Sequence, residues 1–272
     1  MSISPPRVFD TDDLLGRTLA AEIADLIEEA NSASRRFILG CPGGRSPRST
    51  YGHLAEQVRD RRLELGSLVI AMMDDYVLPQ GNGWQNVPEE AHYSCRRLAH
   101  EEIRDVLNAG AVGSTLTIEN VWFPETTDPA AYDERLRDAG GIDLFILASG
   151  AGDGHVAFNP PGSSRDSRSR IVELAEQTRI DNLGTFPEFR SLDDVPQHGI
   201  SVGIDTIASL SRRVVMIAQG ASKRAAVKRL TNGVGYDSSW PATIYREVKN
   251  RELYIDRDAL PMEAMSIGGG LT

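Results

Sequence analysis

The chain has 272 residues, of which 39 are acidic and 29 are basic, and its formal net charge is -10. This length suits one large α/β domain or two small ones, and the negative charge disfavours nucleic acid as a partner because it repels a phosphate backbone. No apolar run approaches the ~20 residues that a membrane-spanning helix needs, so we expect no membrane partner.

The first residues, MSISPPRVFD, lack the basic and apolar regions of a signal peptide. The two cysteines, Cys41 and Cys95, show no metal-ligand spacing and are expected to be reduced thiols. We therefore expect a soluble, cytoplasmic protein. A homo-oligomer is compatible with the sequence, which does not fix the oligomeric state.

The first predicted unit is a helix, a strand and a glycine-rich loop. Leucine and isoleucine recur on one face of residues 11–31, which predicts an amphipathic helix. A short strand over 36–40 precedes CPGGRSP, and a helix to about Arg62 follows, with Ser46 as N-cap and Pro47 as its first residue. A glycine loop before a helix offers free N–H groups and a positive dipole end to an anion.

The second predicted unit is a buried strand over residues 68–73 that ends in Asp74, Asp75 and Tyr76. Residues 81–90 then form a polar loop that is too long for a simple turn, and we predict a lid there.

The most informative stretch is 142–161, IDLFILASGAGDGHVAFNPP. It begins as an apolar run typical of a buried parallel strand and then turns through three alternating glycines. Asp153 and His155 follow this turn directly. A carboxylate beside an imidazole, at the carboxyl end of a core strand, lies where open α/β sheets place their chemistry.

The remaining pattern alternates strands with helices. Strands are predicted at 116–122, 199–204, 213–218 and 253–256, and helices near 92–107, 129–139, 206–210, 222–230 and 242–248. This alternation predicts an α/β fold, a doubly wound, mostly parallel (Rossmann-like) sheet in a single domain over residues 1–272.

Three predicted strand ends, at residues 43–46, 74–76 and 153–155, converge on one crevice. Each signal is weak alone: GGRS lacks the GK[ST] of a P-loop, and GAGDGH lacks the spacing of a dinucleotide fingerprint, so neither ATP nor NAD is favoured. The acidic pair is more typical of a strand terminus or a helix cap than of a catalytic base, and His155 alone is as typical of a structural histidine as of a proton carrier. Asp153 favours a proton carrier because a carboxylate can orient the imidazole.

Several segments resemble the glucosamine-6-phosphate deaminase (isomerase) family, which shares its fold with 6-phosphogluconolactonase. They are FILGCPGGRSP, AMMDDYV, ILASGAGDGHVAFNPPGSSRDSRSRIVELAEQTRIDN, QGASKRAAV and SSWPATIY, within residues 20–256. The M-D-[DE]-Y strand end and the D-G-H-x-A-F-N turn are the most specific, since lactonases usually have D-E-R and D-G-H-T-A-S.

The resemblance implies a role for each matching residue. Asp74 matches the general base that moves a proton between C2 and C1 of an open-chain sugar, His155 the proton shuttle to the ring oxygen, and Asp153 its orienting partner. The phosphate-binding positions match Gly43, Gly44, Ser46 and Lys223. By itself, Lys223 is more typical of an ordinary solvated helix residue than of a phosphate ligand, and the two glycines are also compatible with a simple tight turn.

Three positions depart from the family pattern. Pro160 stands where the deaminases have a glutamate of the proton network, and a proline neither accepts a proton nor orients an imidazole. Leu183 and Gly184 stand where a phosphate-binding arginine is usual. Arg45 replaces a usual glycine in the cradle and could restore that charge, because arginine binds phosphate through a bidentate fork; it is otherwise an exposed loop residue.

The family's bacterial allosteric site involves the SSRDSRSR region, where Ser163, Ser164 and Arg170 match; a basic surface turn is the alternative. The favoured hypothesis is an aldose–ketose isomerase that acts on a phosphorylated amino sugar and releases ammonia. Such chemistry requires no metal or organic cofactor. A sugar-phosphate lactonase and a sugar-phosphate sensor without turnover are the alternatives.

Overall fold

The structure is a computed structural model that describes residues 5–261; residues 1–4 and 262–272 of the predicted domain lie outside this range. The described strands are β1 (Arg7–Phe9), β2 (Phe37–Cys41), β3 (Leu68–Met72), β4 (Asp74–Gln80), β5 (Gly83–Asn86), β6 (Val121–Trp122), β7 (Leu144–Ala148), β8 (Arg170–Glu173), β9 (His198–Ser201), β10 (Val214–Ala218) and β11 (Arg251–Asp256).

The described α-helices are α1 (Asp12–Ser32), α2 (Arg48–Arg61), α3 (Cys95–Arg97), α4 (Asp105–Asn108), α5 (Ala130–Asp138), α6 (Glu176–Thr185), α7 (Ile204–Leu210) and α8 (Arg224–Thr231). A π-helical segment (Leu98–Arg104) joins α3 to α4, and short 3-10 turns lie at Ile118–Asn120, Leu192–Asp194, Ala221–Lys223, Pro241–Glu247 and Arg257–Ala259. Within residues 5–261 no helix is long and apolar enough to cross a membrane.

The main sheet has seven strands in the order β1-β11-β10-β7-β2-β3-β6, and every neighbouring pair is parallel. Strand order runs outward in opposite directions from β2 and β7, so the topological switch point lies between these two strands. The expected doubly wound parallel sheet is thus confirmed, and ligands of such sheets bind at the carboxyl ends beside the switch point.

Helices cover both faces of this sheet, as its apolar strands require. In β7, Leu144 and Ile146 pack into a core cluster that includes Leu19 of α1, whereas Phe145 and Leu147 pack into the opposite cluster. Because side chains alternate along a strand, one apolar run serves both faces.

A second sheet of four strands, β5-β4-β9-β8, is antiparallel throughout. Its strand β4 begins at Asp74, and only Met73 separates it from the end of β3 in the main sheet. Asp74 pairs with Ser201 of β9. The small sheet therefore places Asp74 at the carboxyl edge of the large one.

Four local predictions differ from the structure in part. The predicted lid over 81–90 contains β5, which pairs with β4 in a hairpin. The strand expected at 199–204 is β9 and lies in the antiparallel sheet. Only Val121–Trp122 of 116–122 is a strand, because the Asn108 side chain bonds both backbone groups of Leu116.

The fourth difference concerns the start of α2. This helix begins at Arg48 and not at Pro47, and no side-chain cap bond is present. A turn in which the Arg48 N–H donates to the carbonyl of Arg45 precedes it, so Ser46 lies inside the turn and is not the cap.

Candidate active site

A cavity of about 630 Å³ opens at the carboxyl ends of the central strands. It is bounded by the glycine loop after β2, the start of β4, the turn after β7 and the segment after β10. The predicted site residues that line it are Gly43, Gly44, Arg45, Ser46, Asp74, His155 and Lys223. The structure thus brings together segments that lie far apart in the chain.

The adjacent carboxylates Asp74 and Asp75 have different surroundings. Asp75 is fully buried and accepts hydrogen bonds from the backbone N–H groups of Tyr76 (2.9 Å) and Cys95 (3.0 Å). The Arg96 guanidinium lies 3.3 Å from its other oxygen. Burial raises the pKa of Asp75 to about 6, and these contacts oppose the rise. Asp75 is therefore a hydrogen-bonded structural carboxylate, and it does not line the cavity.

Asp74 lines the cavity and is 5% exposed. The hydrogen-bond donor to its carboxylate among the described residues is the thiol of Cys95, at 3.7 Å between Sγ and Oδ1. Burial, and then the negative charge of Asp75, raise the pKa of Asp74 to about 7. A carboxylate with such a pKa is suited to take up and return a proton near neutral pH.

His155 belongs to a network in the turn after β7. Its Nδ1 lies 2.7 Å from Oδ1 of Asp153 and 3.0 Å from Oγ1 of Thr178, and the Thr178 hydroxyl also donates to Oδ2 of Asp153 at 3.2 Å. Burial would raise the pKa of Asp153, but the hydrogen bond and the charge of His155 lower it below its ordinary value. Since Nδ1 is engaged, Nε2 is the ring nitrogen left for the cavity.

Two glycines make this turn possible. Gly154 has φ +67°, and a β-carbon there would lie 2.2 Å from the indole of Trp240. A β-carbon on Gly150 would lie 2.3 Å from both Oδ1 of Asp153 and Nδ1 of His155. The backbone can therefore approach the Asp153–His155 pair only because a side chain is missing here.

The other end of the cavity carries positive charge. Lys223 donates from Nζ to the carbonyl of Ser149 at 2.6 Å, and burial lowers its pKa. Arg45 is exposed, and its Nη2 would lie 3.7 Å from a β-carbon on Gly184. The guanidinium thus lies beside Gly184, where the family resemblance led us to expect a phosphate-binding arginine. Asp181 also lines this end, and its negative charge partly offsets the lowering of the Lys223 pKa by burial.

Pro160 and the three predicted allosteric residues lie outside the cavity lining. Ser163 is buried and donates from Oγ to the carbonyl of Pro160 at 2.7 Å, and Arg170 bonds both Ser163 and Asn159. Ser164 is exposed and accepts from the N–H of Asp166. The structure therefore brings Ser163 and Arg170 together, away from Asp74 and His155.

Two contacts were missed by sequence reasoning. Thr178 lies in the T-R-x-x-N motif, but its spacing from Asp153 gave no sign of a hydrogen bond. Cys95 lies in a helix predicted from its apolar period, and no local pattern relates it to Asp74. Both contacts join residues more than twenty positions apart, and only the fold creates them.

Comparison with known proteins gives consistent relatives. Residues 10–254 match the family model of glucosamine-6-phosphate isomerases/6-phosphogluconolactonase. A glucosamine-6-phosphate deaminase of Rhodococcus opacus is 34% identical over 222 residues, which cover 81% of this chain and 80% of that protein. One of Bifidobacterium longum is 34% identical over 242 residues, covering 87% and 84%.

Solved structures agree with these relatives. A monomeric glucosamine-6-phosphate deaminase superposes with a TM-score of 0.79 at 26% identity, covering 95% of this chain and 98% of that one. A 6-phosphogluconolactonase from Shewanella baltica has a TM-score of 0.66 at 17% identity, covering 94% and 100%, and shares the fold.

Proposed function

Because the chain belongs to the family of glucosamine-6-phosphate isomerases and 6-phosphogluconolactonases, we propose that it is an aldose–ketose isomerase and deaminase of a phosphorylated amino sugar, glucosamine 6-phosphate or a stereoisomer. The observation that carries this proposal is the pairing of two proton carriers in one cavity. Asp74 and His155 both line it, and Arg45 and Lys223 add positive charge.

In this proposal Asp74 is the general base. It removes the proton from C2 of the open-chain 2-ammonium aldehyde and returns it to C1. The aldehyde oxygen takes up a proton and the ammonium group gives one up, so that C1 becomes a hydroxymethyl carbon and C2 an iminium. Water then adds to C2 and ammonia leaves, so that a ketose phosphate remains. A pKa of about 7 leaves much of Asp74 ionised at neutral pH and still basic enough to accept a carbon-bound proton.

His155 would protonate the ring oxygen during ring opening, through Nε2. Asp153 and Thr178 hold its other nitrogen, so the ring is oriented without the glutamate that Pro160 replaces. A hydroxyl cannot carry the negative charge of that glutamate, and the proton shuttle in this chain would therefore rest on a single carboxylate.

The anion would bind between the loop of Gly43 and Gly44 and the cations Arg45 and Lys223. Arg45 lies beside Gly184, which supports the idea that it replaces the missing arginine from the opposite wall. The expectations of a cytoplasmic location and of a homo-oligomer stay predictions, and the role of Ser163, Ser164 and Arg170 as an effector site stays one as well.

The test is a set of phosphorylated sugars followed by NMR in deuterated water. We expect glucosamine 6-phosphate or galactosamine 6-phosphate to yield ammonia and a ketose phosphate, with deuterium entering from solvent. Release of neither product would refute the proposal. Rapid hydrolysis of 6-phosphogluconolactone alone would identify a lactonase, and saturable binding without turnover would identify a sensor.

A further inference from the structure

The first residue of α3 contacts both carboxylates at the start of β4. The N–H of Cys95 donates to Oδ1 of Asp75 at 3.0 Å, and its thiol donates to Oδ1 of Asp74 at 3.7 Å. Ser94 caps the helix by accepting from the N–H of Arg97 at 3.3 Å. Cys95 therefore donates to both acids, through its backbone N–H to Asp75 and through its much weaker thiol donor to Asp74.

The two donors of Cys95 stabilise the ionised forms of the two acids to different degrees. An amide N–H is a strong hydrogen-bond donor, and with the Arg96 guanidinium it stabilises the ionised form of Asp75. A thiol S–H is a weak donor. It can hold one oxygen of a carboxylate in place without greatly weakening its affinity for a proton.

Cys95 is placed to do this in the cavity itself. It is 5% exposed and lines the cavity with Asp74, and its Sγ would lie 3.6 Å from a β-carbon on Gly43 of the glycine loop. Its thiol is the side-chain donor to Asp74 among the described residues, and Oδ2 of Asp74 has no protein partner there.

We propose that Cys95 is a positioning residue for the proposed reaction: its thiol fixes Oδ1 of Asp74 and leaves Oδ2 to take the substrate proton. The catalytic part of this proposal rests on the proposed function. The hydrogen bond itself requires no substrate and is measured separately.

The groups around Asp74 determine what loss of the thiol does. They are Asp75 and Tyr76 on β4, Tyr51 on α2, Cys95 on α3, Ser201 opposite on β9, Arg96 acting through Asp75, and His155 in the shared cavity. Burial and the charge of Asp75 raise the pKa of Asp74, and the Cys95 hydrogen bond opposes them. Removal of the thiol therefore shifts the acid limb of the rate profile to higher pH.

Infrared spectroscopy tests the hydrogen bond directly, because the S–H stretch absorbs where proteins are otherwise transparent. The chain has two cysteines, so a Cys41→Ala variant carries Cys95 as its single thiol. Cys41 lies at the end of β2, outside the cavity lining. We expect the S–H band to move to lower frequency as pH rises through the ionisation of Asp74, and Asp74→Asn to abolish this movement. A band that is constant across neutral pH overturns the proposal.

Kinetics test the positioning role. We expect Cys95→Ala to lower kcat by roughly 3- to 10-fold, as the loss of one hydrogen bond would, to leave KM nearly unchanged and to move the acid limb of kcat/KM to higher pH. Cys41→Ala is the matched control and keeps the wild-type profile. A Cys95→Ala enzyme with wild-type kcat and profile overturns the positioning role; a loss of folding in that variant leaves the infrared result to decide.

The two proposals fail in different ways. A band that follows pH in a protein without turnover refutes the proposed activity and, with it, the catalytic meaning of Cys95, while the hydrogen bond stands. Turnover combined with a constant band refutes only the positioning role of Cys95 and leaves the proposed activity standing.

Discussion

Asp74 in β4 and Asp153 in the turn after β7 carry the same functional group but are stabilised in opposite ways. Asp153 accepts from His155 and Thr178, and these contacts lower its pKa although burial opposes them. Asp74 has one weak thiol donor, and burial, followed by the negative charge of Asp75, raises its pKa to about 7. The difference shows that partners, and not residue type, decide whether a buried aspartate orients a proton carrier or acts as one.

The two environments come from different parts of the fold. Asp153 lies in a tight turn, where residues two positions apart on the chain are in contact, so its partner is local. Asp74 begins a strand of the small antiparallel sheet, and its neighbours come from α2, α3 and β9. A base built from distant elements can be tuned by each of them independently.

The largest expected effect is that of Asp74→Asn. An asparagine keeps the shape but accepts no proton from carbon, so we expect C2 exchange in deuterated water and ketose formation to fall by about 10³-fold or more, at the upper end of general-base effects. Lactone hydrolysis, if any, should be nearly unchanged. Exchange at the wild-type rate in this variant would show that Asp74 is not the base.

The second expected effect is on stability, and its sign differs between the two acids. The folded pKa of Asp74 lies above its ordinary 3.8, so its contribution to stability falls as pH rises from about 4 to about 7. Relative to wild type, Asp74→Asn should gain stability across that window, by an amount on the order of a few kcal/mol.

Asp153 behaves in the opposite way. Its folded pKa lies below 3.8, so its stabilising contribution is present above about pH 4 and is lost as pH falls through the folded value. Asp153→Asn should therefore lose stability at neutral pH, and the loss should shrink in acid. Urea unfolding of both variants at several pH values measures their free energies of unfolding. A change of the same sign in both variants, relative to wild type, would contradict the assigned environments.

A smaller effect on activity is expected from changes at the positively charged end of the cavity, where the anion would bind. Arg45→Ala removes a bidentate partner for phosphate, so we expect KM for the sugar phosphate to rise by roughly 10- to 50-fold, with a modest change in kcat. Arg59→Ala is the matched control, because Arg59 lies near the far end of α2 and pairs with Asp60. An equal KM for both variants would exclude phosphate binding by Arg45.

The smallest effect is expected for Thr178. Thr178→Val removes the hydroxyl that contacts both Asp153 and His155 at nearly constant volume, so we expect kcat to fall by roughly 5-fold. Thr178→Ser should restore most of it, because the hydroxyl returns. Similar kcat values for the valine and serine variants would mean that the contact is only structural.

The sequence predicts the main sheet well and the small sheet poorly. The apolar runs of β2, β3, β7 and β10 are buried on both faces, and such runs are recognisable without a partner. Strands β5 and β8 are each only four residues long. β5 becomes a strand by pairing with β4 in a hairpin, and β8 by pairing with β9 more than twenty residues away. Hydrophobic periodicity carries no information about such pairing.

The same limit applies to the site. Asp153 and His155 are two positions apart, so the motif predicts their contact, which the structure contains. Apart from the family resemblance, which assigns the base to Asp74, the local residue pattern does not distinguish Asp74 from Asp75. The partners of Asp75 on β4, β5 and α3 do distinguish them. Which of two neighbouring acids is free to react is a property of tertiary structure.

The close approach of Gly150 to the Asp153–His155 pair also affects proton exchange. The backbone of Gly150 covers the edge of the imidazole that carries Nδ1, and its N–H donates to the carbonyl of His155 at 2.8 Å. Nδ1 also lies within hydrogen-bond distance of Asp153 and Thr178, so we expect this nitrogen to be shielded from bulk water. The hydrogen on Nδ1 should exchange slowly enough to give its own downfield proton resonance, which would follow the state of the histidine throughout turnover.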